Sequence, residues 1–178
     1  MKIIIDTNVI LDIVQKREPF FSDSYHALRK AIESDTECFI SASAATDIFY
    51  MLRKSFRSAA KAKETLEQLS QLVTFADVQG MDVHTALMRS MPDFEDAVAD
   101  AVAERNGASY ILTKNIKDFT GSIVPAITPT DFFLKVMDTA AHSGGRRRIL
   151  FIGRAAPMPV VMCRNDLLMF LTVPPFSK

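Results

Sequence analysis

The chain has 178 residues, 48% of them hydrophobic, which is long enough for one globular domain with its own core. Its two cysteines, Cys38 and Cys163, match no spacing of metal ligands or redox motifs, which argues against a disulfide framework and favours a reducing compartment. The first apolar run stops at Asp6 and is too short for a signal peptide or a membrane span, so we expect a cytoplasmic protein without membrane contact.

The formal net charge of zero conceals an uneven distribution of charge along the chain. Residues 1–140 contain 15 Lys and Arg against 20 Asp and Glu, a balance of −5, whereas residues 141–178 contain 6 against 1, a balance of +5. We therefore expect a domain over 1–140 and a basic C-terminal extension over 141–178, to which the sequence assigns no function. Since the domain is acidic, nucleic acid would have to bind at local basic patches or through recruited cations.

Short apolar runs alternate with longer amphipathic segments through residues 1–140. In chain order we first predict a strand at 2–5, a helix capped by Asn8, a helix from Pro19 and a strand at 38–41. A helix capped by Ser41 or Ser43, a helix from Ser58, a strand at 72–76 and a helix at 81–90 follow. The last elements are a helix opened by Asp93 and ended by Asn106-Gly107, strands at 109–113 and 123–127, and a helix at 130–137. This alternation is typical of an α/β sandwich around a parallel sheet.

Acidic residues follow the predicted strands at several points. Asp6 comes directly after the first strand, and Asp47 lies in the first turns of the helix after the second. Asp96 lies in the first turn of its helix, and Asp118 follows the strand that ends at 113. The carboxyl ends of parallel strands share one edge of a sheet, so these acids can converge. Clustered carboxylates repel one another unless a cation offsets their charge, and Mg²⁺ or Mn²⁺ prefers such oxygen ligands.

Three segments carry a further pattern: DTNVILD at 6–12, DFEDAVADAVAERNGASYILTKN at 93–115 and KDF at 117–119. In this order they resemble the PIN-domain family, particularly the VapC-type toxin ribonucleases, over roughly residues 1–137. The resemblance implies a three-layer α/β/α sandwich with a central parallel sheet, endonucleolytic cleavage of RNA with Mg²⁺ or Mn²⁺, and a homodimer. It also implies a cognate antitoxin, because VapC-type members are typically neutralised by one encoded beside them.

The resemblance also assigns roles to individual residues. The catalytic acids that it implies are Asp6, Asp47, Asp96 and Asp118. Asp6, Asp96 and Asp118 would hold the metal, while Asp47 stands where the family usually has the longer Glu. Residues implied to position water, substrate or a neighbouring acid are Asn8, Thr113 and Asn115. We expect Asn8 to orient Asp6 through a hydrogen bond.

Several charged residues have both a functional and an ordinary interpretation. Possible contacts to RNA phosphates are Arg53, Arg57, Lys61 and Lys114. The first three would be helically spaced if the helix ran on through residue 58. A solvated helix face also explains them, but we favour phosphate contacts because an acidic domain needs local positive surface to hold RNA. Asp100 shares a helix face with Asp96, and we expect it to be a solvated helix acid rather than a site residue.

Two other classes of function compete with nuclease activity. A non-catalytic RNA- or protein-binding module with this fold is one, because Asp47 is shorter than the usual Glu. A phosphoacceptor regulator with an aspartate at a strand end is the other. It needs a pair of acids beside the first strand and a separate phosphoacceptor after a middle strand, and Asp77, which follows the strand at 72–76, lacks the expected surroundings. The three histidines have no paired spacing, which argues against a histidine-based ribonuclease or a zinc site.

Overall fold

Residues 1–142 are described by a computed structural model. Of the extension predicted over 141–178, residues 143–178, including Cys163, lie outside the described residues. The strands are β1 (Lys2–Ile5), β2 (Glu37–Ser41), β3 (Thr74–Ala76), β4 (Tyr110–Leu112) and β5 (Ala126–Ile127). The helices are α1 (Thr7–Val14), α2 (Phe21–Glu33), α3 (Ala42–Phe56), α4 (Ala59–Ser70), α5 (Gly80–Leu87), α6 (Phe94–Arg105) and α7 (Pro129–His142), with a 3₁₀ turn at Ile116–Phe119. Within the described residues, none of these helices is long and apolar enough to cross a membrane.

The strands form one all-parallel sheet in the order β3-β2-β1-β4-β5. The chain first builds outward from β1 to β3, then crosses back to add β4 and β5 on the other side of β1. The direction of winding therefore reverses between β1 and β4, where open α/β sheets form a crevice at the carboxyl ends of their strands. Ile5 pairs with Leu112 in the register of these two strands, which places Asp6 beside Thr113.

Both faces of β1 are buried, which explains its continuous run of isoleucines. Ile3 and Ile5 belong to a core packed against α1, α2, α3, α4 and α7, and Ile4 belongs to a second core with α5 and α6. Side chains alternate between the two faces of a strand, so one short run supplies both cores. The expected three-layer α/β/α sandwich is confirmed.

Several helix boundaries differ from the expectation, and two of the differences concern candidate site residues. The N-cap of α1 is Asp6, whose side chain accepts a hydrogen bond from the backbone N–H of Asn8, so the predicted cap at Asn8 was wrong. The helix carrying Arg53 does not run on through residue 58, because Arg57 adopts a left-handed conformation with φ of 53° and ends α3. Ser58 then caps the separate helix α4 that carries Lys61.

Asp100 is fully buried, so the expectation of a solvated helix acid was also wrong. Its carboxylate accepts hydrogen bonds from the backbone N–H groups of Ile123 and Val124 at 3.1 and 2.9 Å. The Nε of Arg89 lies 3.0 Å from the same carboxylate. Asp100 thus anchors the segment that leads into β5 and is a structural residue.

Candidate active site

A cleft of about 350 Å³ opens where the carboxyl ends of β1 and β4 meet α3 and the start of α6. The acids that line it are Asp6, Asp47, Asp93, Glu95, Asp96 and Asp118. Asn8 and Asn115 line it as well. The four acids that the sequence made candidates therefore meet in one place, at the point where the winding of the sheet reverses.

Asp6 is held by hydrogen bonds from two directions. The hydroxyl of Thr113 donates to its Oδ2 at 2.6 Å, and the side-chain amide of Asn8 donates to the same oxygen. The backbone N–H of Asn8 donates to Oδ1 at 3.3 Å, in the cap of α1. Burial raises the pKa of Asp6, and the hydrogen bonds from Thr113 and Asn8 lower it only in part. The carboxylate is therefore fixed in orientation, but its hydrogen bonds do not fully offset the cost of burying its negative charge.

Thr113 is fully buried and connects three parts of the site. Its Oγ1 accepts hydrogen bonds from the backbone N–H of Asn115 at 3.0 Å and from the side-chain amide of Asn8 at 3.2 Å. The backbone N–H of Lys114 in turn donates to Oδ1 of Asn8 at 3.4 Å. Asn8 and Thr113 thus orient Asp6, as expected of Asn8, while contact of Asn115 with water or phosphate stays a prediction.

The start of α6 presents a second group of carboxylates. Asp93 caps the helix, as predicted, by accepting from the backbone N–H groups of Glu95 at 2.8 Å and Asp96 at 3.2 Å. Burial, followed by the charges of Asp6, Asp93 and Asp118, raises the pKa of Asp96 to about 7. Burial and the charge of Asp47 also raise the pKa of Glu95. These carboxylates are close enough to repel one another.

Glu95 was not among the predicted site residues, although it lines the cleft. Its neighbour Asp96 matched a family motif, whereas a glutamate in the first turn of a helix usually needs no more explanation than the helix dipole. The available signal was the Asp93 cap, since it fixes the first turn of α6 whose acids reach the cleft.

The composition of the cleft suits a hard divalent cation. In the part of the chain that the structure describes, no three His, Cys, Asp or Glu side chains are arranged to hold a metal ion by themselves. Mg²⁺ does not require such a cage, because it is usually bound through one or two carboxylates and keeps several waters. The donors from the acids are all oxygens. Burial and then repulsion from neighbouring carboxylates raise the pKa of Asp96, and a bound cation would relieve that repulsion. The residues present therefore fit Mg²⁺ or Mn²⁺.

The predicted phosphate contacts lie elsewhere or are already paired. The ammonium of Lys114 lies 2.8 and 2.9 Å from the two carboxylate oxygens of Asp12, which is fully buried, and 4.3 Å from the ring centroid of Phe20. Arg53, Arg57 and Lys61 are exposed, and none of them lines the cleft. Contact of these four residues with RNA stays a prediction.

Comparison with known proteins identifies the family. The family model described as PIN domain matches residues 2–117, well over half of the chain. The chain belongs to the PIN domain family. This PIN domain is 24% identical over 136 residues to Ribonuclease VapC1 of Aquifex aeolicus (strain VF5), covering 74% of the chain and 92% of that protein.

A solved structure shares the fold of this PIN domain. It is that of VapBC2 from Rickettsia felis bound to a DNA fragment from their promoter, with a TM-score of 0.59 and 16% sequence identity. The match covers 72% of this chain and 98% of that chain. At this identity the likeness supports the fold alone, and it agrees with the parallel sheet and the three layers of this domain.

Proposed function

We propose that this PIN domain is a Mg²⁺- or Mn²⁺-dependent endoribonuclease that hydrolyses RNA phosphodiester bonds at the acidic cleft. The observation that carries the proposal is the convergence of Asp6, Asp47, Asp96 and Asp118 at the carboxyl ends of β1 and β4. The similarity to Ribonuclease VapC1 supports RNA as the substrate.

Each site residue has a distinct task in this proposal. Asp6, Asp96 and Asp118 would hold the cation directly or through its bound waters, and the cation when bound would supply an activated water and neutralise charge that develops on the phosphate. Thr113 and Asn8 keep the carboxylate of Asp6 in one orientation, because buried donors restrain its rotation.

One further acid, one amide and the protonation of Asp96 complete the assignment. Asp47 is exposed at the cleft and accepts a hydrogen bond from the attacking water or assists as a ligand. Asn115 is exposed at the same cleft and donates to a phosphate oxygen. Asp96, with its pKa of about 7, releases its proton when the cation binds.

The biological role that goes with this activity is that of a toxin in a toxin-antitoxin pair. It rests on the resemblance to VapC-type proteins and on the similarity to Ribonuclease VapC1. The partners would be an RNA substrate, a cognate antitoxin and a second copy of the chain, in the cytoplasm.

A non-catalytic binding module is the second candidate, and the side chain of Asp47 favours it. Asp is one methylene shorter than the Glu usual at this position, and the residue is exposed. Metal binding without cleavage of any RNA would support this candidate.

The test is cleavage of a pool of structured and single-stranded RNA by the purified protein with Mg²⁺, Mn²⁺ or EDTA. We expect cleavage with either metal, none with EDTA, and losses of at least about a hundredfold in Asp6→Asn and in Asp96→Asn. Asp35→Asn is the matched control, because Asp35 is an exposed loop acid with φ of 54°, a conformation that Asn also tolerates. Equal cleavage by Asp96→Asn and the unmodified protein would contradict the assignment.

A further inference from the structure

The cleft has a second part that is not acidic. Leu11, Arg17, Tyr50 and Met51 line it together with the carboxylates. The Tyr50 side chain is 63% exposed and Met51 36%, although both are large enough to favour burial. We call Arg17, Tyr50 and Met51 the outer wall of the cleft. A guanidinium group can bind a phosphate and an exposed aromatic ring can stack on a base, so this combination suits a nucleotide.

The helix α3 fixes the distance between the outer wall and the acids. Tyr50 and Met51 lie three and four residues after Asp47, so all three share one face of the helix. Residues at these spacings are neighbours, with Cβ atoms roughly 5–6 Å apart. A base stacked on Tyr50 would therefore lie about one nucleotide away from a phosphate held near Asp47.

The position of Arg17 is set by its backbone and by one side-chain hydrogen bond. Its N–H donates to the carbonyl of Asp12 at 3.0 Å, and its carbonyl accepts from the N–H groups of Phe20 and Phe21 at 3.0 and 2.8 Å. Its Nε donates to Oε1 of Gln15 at 2.8 Å. The guanidinium is thus held at the cleft through Nε.

The charge of Arg17 is not offset by an ion pair within residues 1–142, although the cleft contains several acids. Since Nε is used by Gln15, the two terminal nitrogens of this cleft-lining residue remain available as donors within residues 1–142. Two N–H donors in a fixed plane match the geometry of a phosphate better than that of a lone water.

We propose that the outer wall binds the nucleotide next to the scissile phosphate, with Arg17 on a phosphate and an unpaired base stacked on Tyr50 over Met51. This inference rests on the proposed ribonuclease function and narrows its substrate to single-stranded RNA. A base in an A-form duplex is already stacked and paired, so its face cannot reach Tyr50.

The test measures binding separately from cleavage. The probe is a short fluorescein-labelled RNA of mixed sequence, used single-stranded and annealed to its complement, with Mg²⁺ and with Asp96→Asn as the parent protein so that the probe is not cut. Fluorescence anisotropy gives the dissociation constant and its dependence on salt. Thermal unfolding of each variant verifies that the exposed substitutions leave the fold intact.

The variants separate stacking from charge. We expect Tyr50→Ala to weaken binding of the single strand roughly 5- to 150-fold, the range for loss of one stacked base, and Tyr50→Phe to bind like the parent. Arg17→Gln should weaken binding and lower the slope of log affinity against log salt by about one, the signature of a single phosphate contact. Arg29→Gln is the matched control, because Arg29 is exposed on α2 and paired with Glu33 outside the cleft.

The results also separate this inference from the proposed function. Equal affinity of Tyr50→Ala and the parent for the single strand, or equal affinity of the parent for single strand and duplex, would overturn the outer wall as a nucleotide site. Cleavage by the unmodified protein would survive that result. Weakened binding in the outer-wall variants, together with no cleavage by the unmodified protein under any metal, would instead support the nucleotide site and refute the nuclease.

Discussion

Asp6 serves two structural purposes with one carboxylate. It caps α1 through the backbone N–H of Asn8, and it faces the cleft while accepting from Thr113. Replacement by Asn keeps the shape of the side chain and one oxygen for the cap, but it removes the charge and turns the oxygen that accepts from Thr113 into an NH2 donor. A change to Ala would remove the cap oxygen as well, and its effect on activity would include about 1 kcal/mol of lost helix capping.

The hydrogen bond from Thr113 to Asp6 provides a test of orientation at the residue scale. Thr113→Val keeps the shape of this buried side chain and removes the donor, so the carboxylate of Asp6 is less well fixed. We expect metal affinity, measured by titration calorimetry with Mn²⁺, to fall about 10- to 100-fold. Thr113→Ser restores the hydroxyl and should recover most of the affinity. Unchanged Mn²⁺ affinity in Thr113→Val would show that this hydrogen bond does not act through Asp6.

The raised pKa of Asp96 predicts how pH affects the metal-free protein. Its pKa is about 7 in the folded state against an ordinary value of 3.8. Between these values the folded state holds a proton that the unfolded chain has released, so the free energy of unfolding falls as pH rises through this window. In Asp96→Asn the decrease in the free energy of unfolding over this pH range should be smaller by on the order of 1–2 kcal/mol, after allowance for partial exposure of the carboxyl.

Urea unfolding in EDTA at about pH 4.5 and about pH 8 measures this difference. The Asp35→Asn control should keep the full slope of the unmodified protein. Added Mg²⁺ should stabilise the unmodified protein more at the higher pH, because the carboxylates are then ionised. A steeper fall of the unfolding free energy in Asp96→Asn than in the unmodified protein would contradict the expected direction of the pH dependence.

At the scale of elements, the pair of Asp12 and Lys114 joins α1 to the segment after β4. Asp12 is fully buried and the Lys114 side chain is 21% exposed, so this is a largely desolvated pair. The same segment carries Thr113 and Asn115, and α1 carries Asn8. The pair therefore holds together the two elements that orient Asp6.

Removal of one partner should destabilise the domain strongly. Lys114→Met leaves Asp12 buried without its cation, and we expect a loss of about 3–5 kcal/mol in the free energy of unfolding. The double variant Asp12→Leu with Lys114→Met should recover most of that loss, since no charge is then left buried. Urea denaturation of Asp12→Leu, Lys114→Met and the double variant gives the free energy of interaction between the two side chains. A single variant as stable as the unmodified protein, with weaker RNA binding, would favour the phosphate contact instead.

At the scale of the whole molecule, the sequence predicts the order of elements and the edge of the sheet where the acids meet. Both follow from local patterns: the run of isoleucines in β1, the short apolar segment in β2, and acids that follow strands. The left-handed break at Arg57, the burial of Asp100 and the pairing of Lys114 could not be predicted in this way. Each depends on a partner distant in sequence or on a backbone choice that one side chain does not determine. The reach of Glu95 into the cleft likewise depends on where α6 is placed.

The packing of α7 predicts where the domain ends. Phe132 and Val136 of this helix are buried in the core that contains Ile3 and Ile5. A chain ending after residue 142 should therefore unfold cooperatively with nearly the melting temperature of the full chain, whereas one ending after residue 128 should not fold. Thermal unfolding followed by circular dichroism compares them. A melting temperature well below that of the full chain in the 142-residue protein would show that residues 143–178 contribute to the stability of this domain.

The central place of β1 in the sheet has a consequence for the order in which the site comes into being during synthesis. Within this domain Asp6 leaves the ribosome early, whereas its neighbour across the sheet, Thr113, and the acid Asp118 leave near the end of the domain. Until β4 has been made and has inserted beside β1, one edge of β1 is open and the cleft lacks a wall. A nascent domain therefore passes through most of its synthesis without a complete site, and the cell that makes this protein meets a finished cleft only once nearly the whole domain has been translated.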